Sequence, residues 1–437
     1  MTRHRFQGAV LASILLAAGL ADAANLGDVY QLARENDAKL AAARAARDAS
    51  QEKIPQGKAG LLPTLSLSAN ARYTDAHSSL SGNSYPSHGF SLALVQPLYR
   101  KQNLEGYEQA KLQALQGDQQ LKLAEQDLLL RVATAYFDVL QAQDALATAQ
   151  AQKQAFAEQL AQARKSFEVG AATITDTHEA QARYDLTTAQ EIAAQNDLDV
   201  KQRALEKLIN REAPKLALLD DKARVPMPEP ANMDAWVKQA ESDSLGVVLG
   251  QTALELARRE VERKRGGHLP TLDLSATYSD NRNIASGVAN IDSRAGVLGL
   301  ELGWVLYQGG AIDASVREAV ANQEKARYDL DDVRRQSRLD ARQGFLGVLS
   351  GDAQVRALEQ ALVSSEAQLK STKLGLEVGV RTRVDVLNAQ QQLFTTKRDL
   401  SAARYKTLIA GLQLKAAAGT LAEADLKAVD ALLREAP

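Results

Sequence analysis

Two short turns concentrate the side chains that could do chemistry. Gly170 is followed by Thr173, Thr175 and Asp176; Gly379 is followed by Arg381, Thr382, Asp385 and Asn388, with Leu376 just before it. In both places a glycine closes a long helical stretch and Thr-x-x-Asp opens the next. Gly170 and Gly379 suit a left-handed helix C-cap. Thr173 with Asp176, and Thr382 with Asp385, fit a capping box in which Asp stands for the usual Glu. The chemistry on offer is electrostatic: fixed carboxylates, with Arg381 either solvated or bridging to an acceptor. Nothing points to covalent chemistry. There is no cysteine, which excludes disulfides, thiolate metal sites and cysteine nucleophiles. His77, His88, His178 and His268 are scattered without metal-ligand spacing, and no phosphate-cradling glycine loop or Ser/His/Asp arrangement occurs. The expectation is a protein that is not an enzyme and that holds no metal or cofactor.

The elements that position these turns occur twice. Gly60-Leu61-Leu62-Pro63-Thr64-Leu65 recurs as Gly267-His268-Leu269-Pro270-Thr271-Leu272, and Pro63 and Pro270 lie 207 residues apart (270 − 63). Gly170 and Gly379 lie 209 apart (379 − 170). A unit this long is no solenoid repeat, whose period is ~20–50 residues. We divide the chain into a leader (1–23), a first repeat (24–230) and a second (231–437). Each repeat is expected to run helix, strand hairpin, long helix, tight turn, helix. The hairpins are 63–99 and 270–307. The long helices are 101–169 and 310–378, and the returning helices 176–210 and 385–415. Shorter helices, Leu26–Lys58 and Asp234–Arg265, precede the hairpins and should stack end to end with the returning helices along the long ones. Pro214, Pro226, Pro228 and Pro230 mark a linker, and a segment beyond 415 ends the chain.

Within the first long helix, positions 128, 132, 135, 139, 142, 146, 149, 153, 156, 160, 163 and 167 keep 4-3 spacing, and only Lys153 is charged. Sustained 4-3 spacing predicts coiled-coil packing. The hairpins alternate instead with period 2. Leu65, Leu67, Ala69, Ala71 and Tyr73 share one strand face and Ser66, Ser68, Asn70 and Arg72 the other; Leu298, Leu300, Leu302, Trp304 and Leu306 continue the pattern in the second repeat. The segments at about 74–88 and 279–297 read as polar loops.

Residues 1–23 have a basic start, an apolar stretch from Ala9 to Leu20 and the small-x-small site Ala21-Asp22-Ala23, the pattern of a secretory leader. No later apolar run reaches the ~18 residues of a transmembrane helix. A formal net charge of −2 gives no footprint for nucleic acid. An exported chain of this kind is either soluble outside the cytoplasm or a membrane β-barrel. Four amphipathic strands per chain cannot close, because lipid leaves open edges unsatisfied; a barrel therefore needs several copies, eight strands from two or twelve from three. Tyr73, Tyr99, Tyr278, Trp304 and Tyr307, near the strand ends, would form the aromatic girdle of such a barrel in outer-membrane lipid. The alternative is the exposed sheet of a soluble protein. Asp273 and Glu301, on the polar strand face, would make a barrel lumen mildly acidic.

These residues resemble the TolC family of outer-membrane channel-tunnels over essentially the whole mature chain. The resemblance rests on the Leu-Pro-Thr-Leu strand starts, Ala133-Thr134-Ala135-Tyr136-Phe137, Leu306-Tyr307-Gln308-Gly309-Gly310 and Gly379-Val380-Arg381-Thr382-Arg383-Val384-Asp385-Val386-Leu387. It implies an α+β membrane protein: a homotrimer whose four strands per chain complete a 12-stranded β-barrel, continued by a long periplasmic coiled-coil α-barrel with a mixed α/β belt. Lacking a lipid-anchor cysteine, the chain looks unlike the lipoprotein members. The implied function is an export duct in the outer membrane of a Gram-negative bacterium, extending into the periplasm. It would take drugs, proteins or both from a periplasmic adaptor protein and an inner-membrane pump of RND, ABC or MFS type.

By the same resemblance, the two turns form a periplasmic entrance closed like an iris. Asp385 matches a ring aspartate, Arg381 the arginine that links to a neighbouring turn, and Thr175 and Asp176 its acceptors. Two positions depart: Asn388 stands where the family's second ring aspartate would be, and Leu376 where a tyrosine latch would be. The expected entrance therefore carries one carboxylate ring and a weaker latch. Within the class, the alternative is a duct dedicated to type I secretion of one protein. Outside it, the alternative is a periplasmic coiled-coil scaffold or adaptor.

Overall fold

The computed structural model describes residues 23–77, 82–220, 223–285 and 290–434. The expected leader lies, Ala23 aside, outside the described residues.

The first repeat opens with α1 (Leu26–Asn36), α2 (Ala38–Gln51) and α3 (Lys53–Ala59). The single helix expected over Leu26–Lys58 is thus broken. The cause at the first break is Asp37, whose carboxylate accepts from the Leu40 backbone N–H at 2.8 Å and so starts a new helix. Asp37 is buried, and Arg131 meets it with both terminal nitrogens at 2.9 and 3.2 Å. Strands β1 (Thr64–His77) and β2 (Gly82–Tyr99) follow, then α4 (Lys101–Glu168) and α5 (Ile174–Ile209). Beyond a short strand β3 (Leu218–Leu219), the second repeat supplies α6 (Met233–Asp243), α7 (Leu245–Arg265), β4 (Thr271–Ala285), β5 (Asn290–Gly303), α8 (Ala311–Glu377) and α9 (Arg383–Ala417). The helix expected over Asp234–Arg265 breaks at Ser244 for the same reason as the first: its hydroxyl accepts from the Val247 N–H and pairs with Ser337 of α8. Helix α10 (Glu423–Asp430) and strand β6 (Leu433–Arg434) end the described chain.

Helices α4 and α8, of 68 and 67 residues, each extend ~100 Å at ~1.5 Å per residue. α5 packs along one part of α4 and α2 and α3 along another; α9, α6 and α7 do the same for α8. The 4-3 seam of α4 is largely inside: Leu128, Val132, Val139, Ala142, Ala149, Phe156, Leu160 and Ala163 are buried. Lys153 sits half-buried in the seam and is neutralised by Glu191 of α5 at 2.6 Å. Phe167 departs from the pattern and is exposed, because α4 ends one residue later and has no partner surface left.

The main core lies beside the middle of the helices. Tyr136 and Phe137 of α4 meet edge to face at 5.6 Å, and Phe137 meets Tyr405 of α9 at 5.7 Å. Burial and the neighbouring Asp144 push the Tyr405 phenol up, and its hydroxyl donates to Asp144 at 2.8 Å. The Tyr136 hydroxyl donates to the carbonyl of Ala217 at 2.8 Å and to that of Ala24. The inter-repeat segment is therefore more than a linker. Its β3 pairs antiparallel with β6, and Ala24 bridges Leu216, so the chain's start, middle and end are tied together beside one aromatic cluster.

The two hairpins join into one antiparallel sheet in the order β1-β2-β4-β5. Leu94 lies opposite Leu65 and Ala276; Leu92 lies opposite Leu67 and Tyr278. β1 and β5 are edges. The strands run further than their composition suggests. Thr74 and Asp75 pair with Tyr85 and Ser84, and Ser279 and Asp280 with Ala295 and Arg294, so most of the expected loops at 74–88 and 279–297 are ladder. Polar side chains do not prevent pairing when both neighbours are polar and each ladder bond is made. At the other end β5 stops at Gly303, opposite Thr271. Trp304 and Leu306 lie past the strand, because the residue before Thr271 is Pro270, which has no N–H to extend the ladder.

Candidate functional site: the paired helical turns

Both turns are built the same way. Gly170 and Gly379 sit at φ 74° and 81°, a left-handed backbone that a Cβ would strain. After the first, Ala171 N–H returns to the Ser166 carbonyl at 2.8 Å; after the second, Val380 and Arg381 N–H groups both reach the Gly375 carbonyl. Each following helix opens with a reciprocal cap. Asp176 N–H donates to the Thr173 hydroxyl at 3.2 Å while Thr173 N–H donates to the Asp176 carboxylate at 3.0 Å. Asp385 N–H donates to the Thr382 hydroxyl at 3.2 Å, and both the N–H and the hydroxyl of Thr382 donate to the Asp385 carboxylate at 2.9 Å. These bonds, aided by the Arg381 charge, hold the Asp385 carboxyl below the usual aspartate range. It is thus a fixed anion, restrained by its own helix.

The remaining gate candidates are distributed around the two turns. Leu376 is half-buried on the last turn of α8, and Thr175, Arg381 and Asn388 are exposed. The Arg381 stem lies over Gly375, where a Cβ would come within 2.7 Å of its Cγ. No hydrogen bond or ion pair among the described residues joins Arg381 to Thr175 or Asp176 within one chain.

What does join the two helical hairpins is a set of ties that the motifs did not single out. Arg383 donates through Nη2 to the Ser166 hydroxyl at 2.6 Å, crossing from α9 to α4. Arg183 of α5 donates to the side-chain carbonyl of Asn388 at 3.1 Å. Further from the tip, the Gln152 amide donates to Gln391 at 2.6 Å. Asn388 therefore belongs to a contact between repeats. Arg183 follows Asp176 by seven residues, one heptad, which is the signal that could have placed it on the same face as the cap. Nη1 of Arg383 is buried with no hydrogen-bond partner among the described residues, a donor still to be satisfied at the tip.

At the opposite end of the molecule the sheet carries the aromatic candidates. Tyr73 is exposed on the face of Leu65 and Leu67. Tyr99 ends β2 opposite Leu272, after an irregularity at Pro97. Tyr278 lies mid-strand, because β4 runs on to Ala285, and its ring meets Phe90 at 6.1 Å. Trp304 and Tyr307 follow β5; the Trp304 indole N–H donates to the His268 carbonyl at 3.0 Å. Inside the sheet's base, Arg100 grips Asp273 with Nε at 2.9 Å and with Nη2. The acidity expected from Asp273 is thereby cancelled, leaving Glu301, its partner across the strands.

A family model described as outer membrane efflux protein matches residues 29–211 and 236–420, once per repeat. Outer membrane protein TolC of Vibrio cholerae is 34% identical to this chain over 420 residues, covering 95% of each. The alkaline protease secretion protein AprF of Pseudomonas aeruginosa is 34% identical over 430 residues, covering 96% of this chain and 89% of its own. The structure of the Campylobacter jejuni CmeC outer membrane channel superposes with a TM-score of 0.79 over 93% of this chain and 89% of that one. At 15% identity, that likeness shows a shared fold of barrel strands and long helices.

Proposed function

Because the chain belongs to the outer membrane efflux protein family, we propose that its paired turns are the gate of an export duct and that three copies build the duct. The chain is an outer-membrane protein, a duct for efflux and type I secretion. It is proposed to work with a periplasmic adaptor protein and an inner-membrane pump of RND, ABC or MFS type.

One observation supports closure by several copies: a four-stranded sheet with two open edges and one face of exposed Leu65, Leu67, Leu298, Leu300 and Leu302; the number three is what the family resemblance implies. Lipid tolerates the apolar face but no open edge. Pairing β1 of one copy with β5 of the next closes twelve strands from three chains. The aromatic residues Tyr73, Tyr99, Tyr278, Trp304 and Tyr307 then lie against lipid, and the polar face lines the lumen.

The gate follows from symmetry. Three Asp385 carboxylates converge at the tip, Asn388 adds no charge, and Arg381 reaches Thr175 and Asp176 of the neighbouring copy. Opening requires the adaptor to favour the splayed turns over the closed ones. Leu376 contributes no hydroxyl to the closed state.

A duct dedicated to one secreted protein is the second reading. It is favoured by a protease-secretion relative as similar to this chain as a TolC is. Deleting the gene and scoring drug sensitivity together with secreted proteins separates the two. Broad sensitivity indicates a general duct, and loss of one secreted protein alone a dedicated one. No change in either would reject the export reading.

A further inference from the structure

The apolar face of the sheet ends in charge. On the same face as Tyr278, the next residue up β4 is Asp280, opposite Arg294 of β5. Arg294 Nε donates to Asp280 at 2.9 Å, and Arg282 lies 3.4 Å from Asp280 and 3.5 Å from Asp292. His88 lies across from Arg282 on β2. Asp280 is largely covered, its side chain 12% exposed, whereas Arg282 and Arg294 are 43% and 65% exposed. The carboxylate beneath thus accepts from Arg294 and lies in ion-pair range of Arg282, and both guanidiniums stay partly exposed. Beside Asp280 and Arg282, across β2 and β1, a depression of about 550 Å³ is lined by Ala69, Ala71, His88, Phe90, Asp280 and Arg282.

Height decides what this cluster meets. From Leu272 to Asp280 is ~27 Å along the strand at ~3.4 Å per residue. That is roughly 20 Å along the membrane normal at the ~35–45° tilt of barrel strands, close to the ~25 Å of an apolar band. Charges facing hydrocarbon are costly, so the row of Asp280 and Arg294 belongs at the headgroup level. The hairpin tips lie beyond it, so this is the end away from the helices, the outer leaflet.

We propose that Arg282 and Arg294 form a site for the phosphorylated headgroup of an outer-leaflet lipid, with its acyl chains running down the apolar face over Phe90 and Tyr278. A phosphate bridging two forked guanidiniums makes charge-assisted bonds that a lysine would not reproduce. The site rests on the reading that this face meets lipid.

The test uses the full chain purified in a neutral detergent, with native mass spectrometry reading lipid occupancy. The probes are bisphosphorylated lipid A, fully dephosphorylated lipid A and inorganic phosphate. The expected result is binding of the phosphorylated lipid at least about tenfold tighter than of the dephosphorylated one, reduced about tenfold by R282Q/R294Q. R294Q alone, at the more exposed position, gives a smaller loss should the double variant assemble poorly. R282K/R294K keeps the charge and is expected to restore binding only in part. Equal binding of both lipids, binding indifferent to the substitutions, or inorganic phosphate binding as tightly as the lipid would each overturn the site. Because the chain lacks cysteine, a nitroxide on L300C reports separately on the underlying reading. A label found in water rejects the lipid-facing sheet itself, whereas a label in hydrocarbon with unaltered lipid binding rejects only the headgroup site.

Discussion

Asp385 shows how much a single side chain can be asked to do. Its carboxylate caps its own helix through Thr382 and is also the proposed ring charge of the entrance. Both roles need the ion. Its ionisation is favoured by the fold, so its contribution is present above the ordinary aspartate range and is lost as pH falls through the lowered folded value. Cation selectivity of the pore is therefore expected to survive acidification to about pH 4, near the unperturbed aspartate pKa, and to fade below it; recordings across a pH series check this. Asn388 makes a second case. With Arg183 as its donor, single alanine substitutions at either position should loosen the closed entrance by similar amounts, and the double variant should add little. A double-mutant cycle on closed-state conductance reads that coupling. Fully additive effects would mean that the bond is idle.

Helices and strands were legible in the sequence to different degrees. The long helices were plain, because a 4-3 seam without proline allows little else; α4 and α8 end within a residue or two of 169 and 378. The breaks at Asp37 and Ser244 were hidden, since either residue can sit in a helix until its side chain captures a backbone N–H. The upper strands were hidden by their own polarity. The turns were legible as caps, yet the ties at Arg183, Ser166 and Arg383 were not, because they connect segments more than 200 residues apart. Packing at this scale is testable. Phe137→Ala removes a fully buried ring between Tyr136 and Tyr405 and should cost ~3–5 kcal/mol, seen as a clear fall in Tm. Asp37→Ala leaves Arg131, its side chain 22% exposed, without the partner that bridges α2 to α4. A loss of ~1–3 kcal/mol is expected, against near-neutrality if the pair were a surface ornament.

At the scale of the whole molecule, the duplication becomes a division of labour. Each repeat supplies a hairpin and a helical pair, and the hairpins of both repeats already share one sheet. The second turn carries Arg381, Arg383 and Asp385 where the first carries Ala172, Ile174 and Asp176, and on the proposed gate the second repeat is the moving half and the first its frame. The ties from Arg383 to Ser166 and from Arg183 to Asn388 are the joints between them. Cutting both with R383A/N388A should open the entrance more than removing either one. The most direct measurement is ion selectivity of the purified chain in a planar lipid bilayer, wild type against Asp385→Ala. We expect a cation-selective pore whose preference falls markedly in the variant while conduction persists. No pore, or a pore whose selectivity ignores Asp385, would contradict the account.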